Sequence, residues 1–467
     1  MDNIAAVILA AGKGTRMKSE QPKVLHPVCG KPMIRHVYDA VEKLGTTRTL
    51  LVVGYQAEKV RAVAGEAVEY VLQAEQLGTG HAVLQTETAL RDFAGQVLVL
   101  YGDTPLLTPE TLRNLISQHT ARGNAATVLS AEIDDPTGYG RIIRRPDGVV
   151  TGIVEQKDAT PAEAAVREVN TGIYCFDSRV LFPALHAVRA DNSQKEYYLT
   201  DVISILGGKG CRVDAVAAAN PPETFGVNSR RQLADLEGEL RRQIREHWLA
   251  EGVTMLDPNS TFIDADVSIG ADTVLYPFTL LESGTTVGAD CVIGPQVRIS
   301  NSRIGCGVRI ENAVILDSAI ADAATVGPFA YIRPGTVVET GAKVGTFVEV
   351  KKSAIGRGSK VPHLTYVGDG VIGKGVNIGA GTIFVNYDSR KKHQTVVEDD
   401  AFVGCNANLI APVTIRRGSY VAAGSTITKE VPEGALGIAR SRQENLPGWV
   451  AKWRARAEKA EREKEGE

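Results

Sequence analysis

No apolar stretch in the sequence approaches the roughly 20 residues that a bilayer-spanning helix needs, so a membrane is not expected among its partners. A cationic excess is also missing. The 52 Lys and Arg stand against 55 Asp and Glu, a net charge of −3, which argues against nucleic acid as a ligand. Aromatic residues are scarce, with 10 Phe and 3 Trp, whereas 47 Gly make turns a large part of the fold. The six cysteines (Cys29, Cys175, Cys211, Cys291, Cys306 and Cys405) are scattered, with no CxxC pair and no zinc spacing. A reducing cytoplasm is therefore expected. Met1-Asp2-Asn3-Ile4 has neither the basic nor the apolar character of a secretory leader. What is present suffices for a substantial core: 43% of the 467 residues are hydrophobic and 23% charged, which excludes global disorder and allows two or three domains.

The second half repeats. Stepping by six from Ile263 meets Ile269, Leu275, Leu281, Val287, Ile293 and Ile299. A second run passes through Val326, Ile332, Val338, Val344 and Val350, and a third through Val397, Val403, Leu409, Ile415, Val421 and Ile427. Neither a helix nor an alternating strand has a period of six. A hexad places one aliphatic side chain per short strand inside a triangular coil, with Gly or a polar residue at each corner. Three hexads close a coil of about 18 residues, and successive coils lie about 4.8 Å apart. The pattern resembles the left-handed parallel β-helix of hexapeptide-repeat acyltransferases, and the hand is implied by that resemblance alone. Such a solenoid can also serve only to build an oligomer.

Residues 1–228 read differently. Apolar runs at Ala5–Ala10, Leu50–Val53, Val97–Tyr101 and Ala125–Leu129 alternate with amphipathic stretches at Met33–Leu44 and Pro109–His119, the pattern of α/β units on a mostly parallel sheet. Residues 229–250 are charged and Leu-bearing and predict a linker helix. The β-helix is expected over 251–437 and a tail over 438–467. In that tail Trp449 and Trp453 form a small stripe on a charged helix.

The first strand runs into Leu9-Ala10-Ala11-Gly12-Lys13-Gly14-Thr15-Arg16, with Pro22-Lys23 following. A Gly-rich turn at the end of a strand lets backbone N–H groups approach phosphates, and Arg16 and Lys23 supply the cations that phosphoryl transfer requires. This composite resembles the signature of sugar-nucleotide pyrophosphorylases. Gln73-x-x-Gln76-Leu77-Gly78-Thr79-Gly80 resembles their base-reading segment, and Tyr101-Gly102-Asp103 ends an apolar strand at the sheet edge where ligands bind. For Asp103 the plainer alternative is a cap on the next helix. The resemblance implies Asp103 and Asn228 as Mg²⁺ ligands, and Gly140, Glu155 and Asn170 as sugar contacts. A solvated surface charge is the alternative for Glu155.

On the solenoid, Arg333 follows Ile332 and Lys351 follows Val350, one coil apart, so the two cations are expected to stack on the outer surface and invite an anion. His363 lies two places after the inward Val361, faces out, and can accept a proton near neutral pH. The hexads break between Phe384 and Val397, where Asn386-Tyr387-Asp388 opens a loop. Cys405 and Ala423 stack as two small side chains and leave a slot for a thin pantetheine arm.

Over nearly its whole length the sequence resembles the family of bacterial bifunctional N-acetylglucosamine-1-phosphate uridyltransferases/glucosamine-1-phosphate N-acetyltransferases. The resemblance implies an α/β Rossmann-like nucleotide-diphosphosugar transferase domain followed by a left-handed parallel β-helix of hexapeptide repeats. It implies UTP and acetyl-CoA as co-substrates, Mg²⁺ as cofactor, a homotrimer, and a bacterial cytoplasm where UDP-N-acetylglucosamine feeds peptidoglycan and outer-envelope synthesis. His363 would be the general base of acetyl transfer, and Arg333 and Lys351 would hold the sugar phosphate. Tyr366, Asn377, Asn386 and Tyr387 would line the sugar and acetyl positions; Ala380, Asn386, Tyr387, Cys405, Ala423 and Arg440 would contact acetyl-CoA. Cys405 departs from the Ser common in the family. Two other readings stay open: a single-activity pyrophosphorylase with a structural or regulatory β-helix, and a regulatory scaffold with a degenerate transferase domain.

Overall fold

The computed structural model describes residues 3–465. It divides into two compact units, one running to Ala250 and including Phe262–Val267, the other holding Glu251–Thr261 and the chain from Ser268 onward.

The first unit is built on a nine-stranded sheet. Its strands are β1 (Ile4–Ala10), β2 (Arg48–Val53), β3 (Glu69–Leu72), β4 (Gln96–Tyr101), β5 (Ala126–Glu132), β6 (Arg141–Arg144), β7 (Val150–Val154), β8 (Glu168–Asp177) and β9 (Val213–Ala217). The order is β9-β5-β8-β4-β1-β2-β3, with the hairpin β6-β7 attached through β8. The β1 pairs with β2 and β4 are parallel, as an unbroken apolar run predicts for a strand covered on both faces. Ala5, Val7 and Leu9 point into one core and Ala6, Ile8 and Ala10 into the other. A fully buried Val or Ile, such as Val7 or Ile8, contributes about 1.5–3 kcal/mol. Helix α1 (Met33–Glu42) buries Met33, Ile34, Val37 and Val41. Helix α2 (Pro109–Arg122) begins where the Thr108 hydroxyl accepts from the Thr111 N–H and stops at Gly123 in the left-handed region. β8 runs antiparallel to β4 and β5, and β6 antiparallel to β7, so the segments carrying Gly140, Glu155 and Asn170 lie on the antiparallel part of the sheet. Helix α3 (Arg230–Ala250), expected as a linker, packs Leu233 and Leu236 against Met17, Val28, Met33, Leu106 and Val227 within the first unit.

The second unit is a coil of short strands in three parallel sheets of 11, 10 and 9 strands, the arrangement of a left-handed parallel β-helix. The inward positions Ile332, Val344, Val350, Val361, Val367 and Val403 are fully buried. Buried Ser and Thr at the corners bond carbonyl oxygens of their own coil or the next: Thr336 Oγ1 donates to Arg333 O, three residues back, at 2.7 Å, and Ser359 Oγ donates to Gly373 O of the next coil at 2.6 Å. These bonds satisfy the backbone where the chain turns. The coils are not uniform. Leu275 aligns with Ile293, but Ile293 aligns with Ile310 and Ile310 with Val326, so coils in this stretch are one or two residues short. Ile378 aligns with Val403, a coil enlarged by the loop after Phe384. The chain ends in helix α4 (Trp449–Glu465), where the Trp449 and Trp453 rings stack 6.4 Å apart and both remain exposed.

Candidate functional sites

In the first unit the carboxyl ends of β1 and β4 open into a cleft of about 240 Å³. Leu9, Ala10, Ala11, Gly12, Lys23, Gln73, Gly78, Thr79, Tyr101 and Asp103 line it, all of them residues that the motifs single out. Asp103 is buried, and a buried carboxylate needs a cation. Lys23 Nζ ion-pairs with Asp103 and donates to Asn228 Oδ1 at 3.0 Å. The Val227 N–H donates to Asp103 O at 3.0 Å, which carries Asn228 to the carboxylate across more than a hundred residues of chain. Two oxygen donors thus converge on one cationic point. That donor set suits Mg²⁺, which takes few protein ligands and fills its octahedron with water and phosphate oxygens. Among the described residues no group of three or more His, Cys, Asp and Glu forms a denser cage.

Gln73 is buried, and its Nε2 is occupied by Gly78 O at 3.1 Å and His81 Nδ1 at 3.0 Å, which leaves its carbonyl oxygen for a ligand. Tyr101 bonds Thr79, and burial raises its phenol above the usual range. Gly140, Glu155 and Asn170 come together: a Cβ added at Gly140 would lie 3.4 Å from Glu155 Oε1 and 3.6 Å from Asn170 Cβ. Asn170 is oriented by its own bonds, Nδ2 to Tyr174 Oη at 2.8 Å and Oδ1 from the Gly172 N–H at 2.9 Å. Arg16 stands apart from this group. It is exposed on the short turn Thr15–Met17, makes no side-chain bond among the described residues, and is not in the cleft wall.

The cleft also has walls that no motif announced. Val24, Ala82 and Glu196 line it, as does Gln76 from the base-reading segment. Glu196 arrives through backbone bonds of its neighbour Tyr197, whose N–H donates to Leu77 O and whose carbonyl accepts from Gly80 N–H, both at 2.8 Å. Such a loop pairing has no local sequence signal.

On the second unit, Ile332 aligns with Val350, so Arg333 and Lys351 do stack on adjacent coils. They are not two bare cations, however. Arg333 Nη1 donates to Glu349 Oε1 at 2.6 Å, a pairing that raises its pKa further. Lys351 feels the Asp369 carboxylate and a further cation, Lys392, whose contact holds it below the ordinary lysine range. Lys392 escapes a motif search, although Lys391-Lys392 in a loop that breaks the hexads is a usable signal. Asn386 Nδ2 donates to Asp369 Oδ2 at 2.5 Å, and both Asn386 Nδ2 and Tyr366 Oη come within 2.5 Å of where a Cβ of Gly368 would stand. Only glycine permits that approach, which gathers Tyr366, Asn386, Asp369 and Lys351 over one face.

Tyr387 is exposed and bonds Ser389 O through its hydroxyl at 2.7 Å. Asn377 is half-buried on a different sheet, in register with Lys360 and Phe402. His363 ends the strand Lys360–His363, exposed and without a side-chain partner among the described residues. Ala380, Cys405 and Ala423 form one file, coupled by Asn406 N–H to Ala380 O at 2.7 Å and Gly424 N–H to Cys405 O at 2.8 Å. Arg440 Cδ reaches 3.8 Å from the Cβ position of Gly424, beside that file.

The family description "MobA-like NTP transferase domain" matches residues 6–202. A solved structure of UDP-glucose pyrophosphorylase complexed with UDP-glucose is 18% identical, covering 52% of this chain and 100% of its own, with a TM-score of 0.43. Curated relatives called bifunctional protein GlmU align far more fully. The one from Brevibacillus brevis is 54% identical over 445 residues, 95% of this chain and 96% of its own. The one from Exiguobacterium sibiricum is 54% identical over 447 residues, 96% of this chain and 100% of its own. Matched at this identity through both the sheet unit and the coil, the chain belongs to the GlmU family of bifunctional proteins.

Proposed function

We propose that the protein makes UDP-N-acetylglucosamine in two steps, one in each unit. The coil transfers an acetyl group from acetyl-CoA to glucosamine 1-phosphate. The sheet unit then transfers a uridylyl group from UTP to N-acetylglucosamine 1-phosphate and releases pyrophosphate. The observation that carries this reading is the presence in one chain of two phosphate-seeking sites of different build. One is a strand-end cleft whose Asp103 and Asn228 converge on a cation; the other is a solenoid face with Arg333, Lys351 and Lys392 around Tyr366 and Asn386.

For uridylyl transfer, the Gln73 oxygen accepts an N–H of the base, and the Gly12 turn presents backbone N–H groups to the phosphates. Gly140, Glu155 and Asn170 take the sugar. A phosphate oxygen of the sugar phosphate attacks the α-phosphorus, and the bond to pyrophosphate breaks, with no covalent enzyme intermediate. Lys23, in the cleft wall, counters the charge and orients the phosphates, and Arg16, exposed on the turn outside that wall, must swing in to add its charge once the phosphates are bound. Asp103 and Asn228 would hold Mg²⁺, which when bound neutralises phosphate charge.

For acetyl transfer, the cations hold the sugar phosphate, and Tyr366, Asn377, Asn386 and Tyr387 line the sugar and acetyl positions. His363 takes a proton from the amine as its nitrogen bonds to the thioester carbonyl carbon. The C–S bond breaks and coenzyme A leaves as the thiol, its sulfur taking up the proton that His363 accepted. The file of Ala380, Cys405 and Ala423 admits the pantetheine arm, with Arg440 beside it. Next to His363, the exposed Phe329 and Phe347 rings stack 5.2 Å apart, with exposed Leu364 one coil on. An uncovered apolar file beside the base supports a homotrimer in which a neighbouring copy covers it. The absence of a long apolar helix among the described residues is compatible with a cytoplasmic enzyme.

The test is a coupled assay on the purified protein with glucosamine 1-phosphate, acetyl-CoA, UTP and Mg²⁺, reading free thiol and pyrophosphate separately, with sedimentation of the same sample. Both products and the mass of three chains are expected. Pyrophosphate formed only from added N-acetylglucosamine 1-phosphate, with no thiol released, would reduce the coil to a scaffold. A monomer would refute the trimer.

A further inference from the structure

Arg141 is a charged side chain with almost no exposure, 1%, and among the described residues no carboxylate bonds it. Its guanidinium donates only to neutral oxygens: Nη1 to Tyr139 O, Nη2 to Gln156 Oε1 at 2.8 Å and to Ala164 O at 3.2 Å, and Nε to Ala164 O at 3.3 Å. Burying a cation without an opposite charge is costly, and a neutral side chain would fill the space more cheaply. Its position suggests what the charge is for. Arg141 opens β6 and is paired on one side with Val154 of β7 and on the other with Val169 of β8. Its own predecessor is Gly140, and the residues following its two partners are Glu155 and Asn170. The Asn170 N–H donates to Gly140 O at 2.9 Å, and Gln156 Oε1 also accepts from the Gly138 N–H at 3.0 Å. One side chain therefore ties the Thr137–Gly140 turn, the end of β7 and the Ala164 turn from behind.

We propose that Arg141 is the positioning residue of the sugar 1-phosphate subsite, holding Gly140, Glu155 and Asn170 in one frame and supplying the buried positive charge that acts on the Glu155 carboxylate. The proposal rests on the uridylyl-transfer reading of the cleft and names a residue that does not itself touch substrate. Burial pushes the Glu155 carboxyl up, and Asp201 and Asp158 add to that rise. Tyr101, Tyr174 and Tyr198 also feel the Glu155 charge. The Thr200 side chain opposes the rise, and the Arg141 charge opposes it as well. An ionised Glu155 accepts hydrogen bonds from sugar hydroxyls; a protonated one loses much of that capacity.

The test compares wild type, Arg141→Gln and Arg141→Lys in uridylyl transfer, with acetyl transfer as the control for an intact protein. Arg141→Gln should raise KM for N-acetylglucosamine 1-phosphate by ~10-fold or more and leave KM for UTP within ~2-fold, since only the sugar frame is loosened. The acidic limb of kcat/KM for the sugar phosphate should also move to higher pH, because loss of the cation raises the Glu155 pKa. Arg141→Lys keeps the charge and cannot reach three acceptors, so it should retain most of the limb while KM still rises. Equal changes in both KM values, or an unmoved limb in Arg141→Gln, would overturn the proposal. Should Arg141→Gln lose acetyl transfer as well, Arg141→Lys decides by the same KM comparison. Wild type inactive with N-acetylglucosamine 1-phosphate would instead overturn the uridylyl reading, so the two failures are distinguishable.

Discussion

Lys23, Asp103 and Asn228 form one small electrostatic unit, and single-atom changes there should be felt in one reaction only. Asp103→Asn keeps the size of the side chain and removes the charge that would bind a divalent cation. Uridylyl transfer should fall by ~10²-fold or more, with a raised Mg²⁺ requirement, and thiol release should persist. His363→Ala should do the reverse, cutting acetyl transfer by ~10²–10⁴-fold, the usual worth of a general base. Measuring both products for each variant checks the assignment, and loss of both activities in a folded protein would sink it. Lys23 and Asp103 were legible because each sits in a dense local string. Arg141 was not: in sequence an arginine at a strand start reads as a solvated charge, and only the fold wraps it in carbonyl oxygens. Glu196 was illegible for a related reason, since a loop bonded to Leu77 and Gly80 brings it to the cleft.

The loop that leaves the coil after Phe384 is an element with its own internal bracing. The Asp388 carboxylate accepts from the Arg390 N–H at 2.8 Å, from the Lys391 N–H at 2.7 Å and from His393 Nε2 at 2.6 Å. The Lys391 backbone bond is the largest cause that brings its pKa down to about 2. A carboxylate depressed in the fold lends stability above its ordinary pKa and loses it as pH falls towards 2, so the loop should stay closed throughout the neutral range. Asp388→Asn removes the charge at every pH. Hydrogen exchange of amides across 386–394 should then quicken by ~10-fold or more, and KM for glucosamine 1-phosphate should rise because Tyr387 and Lys392 are paired across that loop. Unchanged exchange would mean that Asp388 does not hold the loop. The sequence shows where this loop begins because the hexads stop, and it does not show the bracing, which forms only once the loop folds. The same limit explains the gap between Ile299 and Val326: the steps from Ile299 to Ile304, from Ile310 to Ile315 and from Ile315 to Ile320 are five residues and shorten the coils, so a fixed step of six loses the register.

Across the whole molecule, the two sites belong to separate compact units with separate cores. N-acetylglucosamine 1-phosphate is a stable, soluble product of the first reaction and the acceptor of the second, so it can pass through solvent. Two proteins each defective in a different unit should then complement in a mixture. Asp103→Asn would supply the acetylated sugar phosphate and His363→Ala would uridylylate it. Incubated together with glucosamine 1-phosphate, acetyl-CoA, UTP and Mg²⁺, they should form UDP-N-acetylglucosamine after a lag that shortens as total protein rises. Each alone should form only what its residual activity allows. A lag independent of protein concentration would point away from free diffusion. Failure of the mixture to form product, while each variant retained its single activity, would mean that the intermediate is handed over within one assembly and never released. Exchange of chains between any oligomers that form is separated from diffusion by adding the second variant behind a dialysis membrane. Product formed across that barrier can come only from an intermediate that left the coil of one protein and entered the cleft of another.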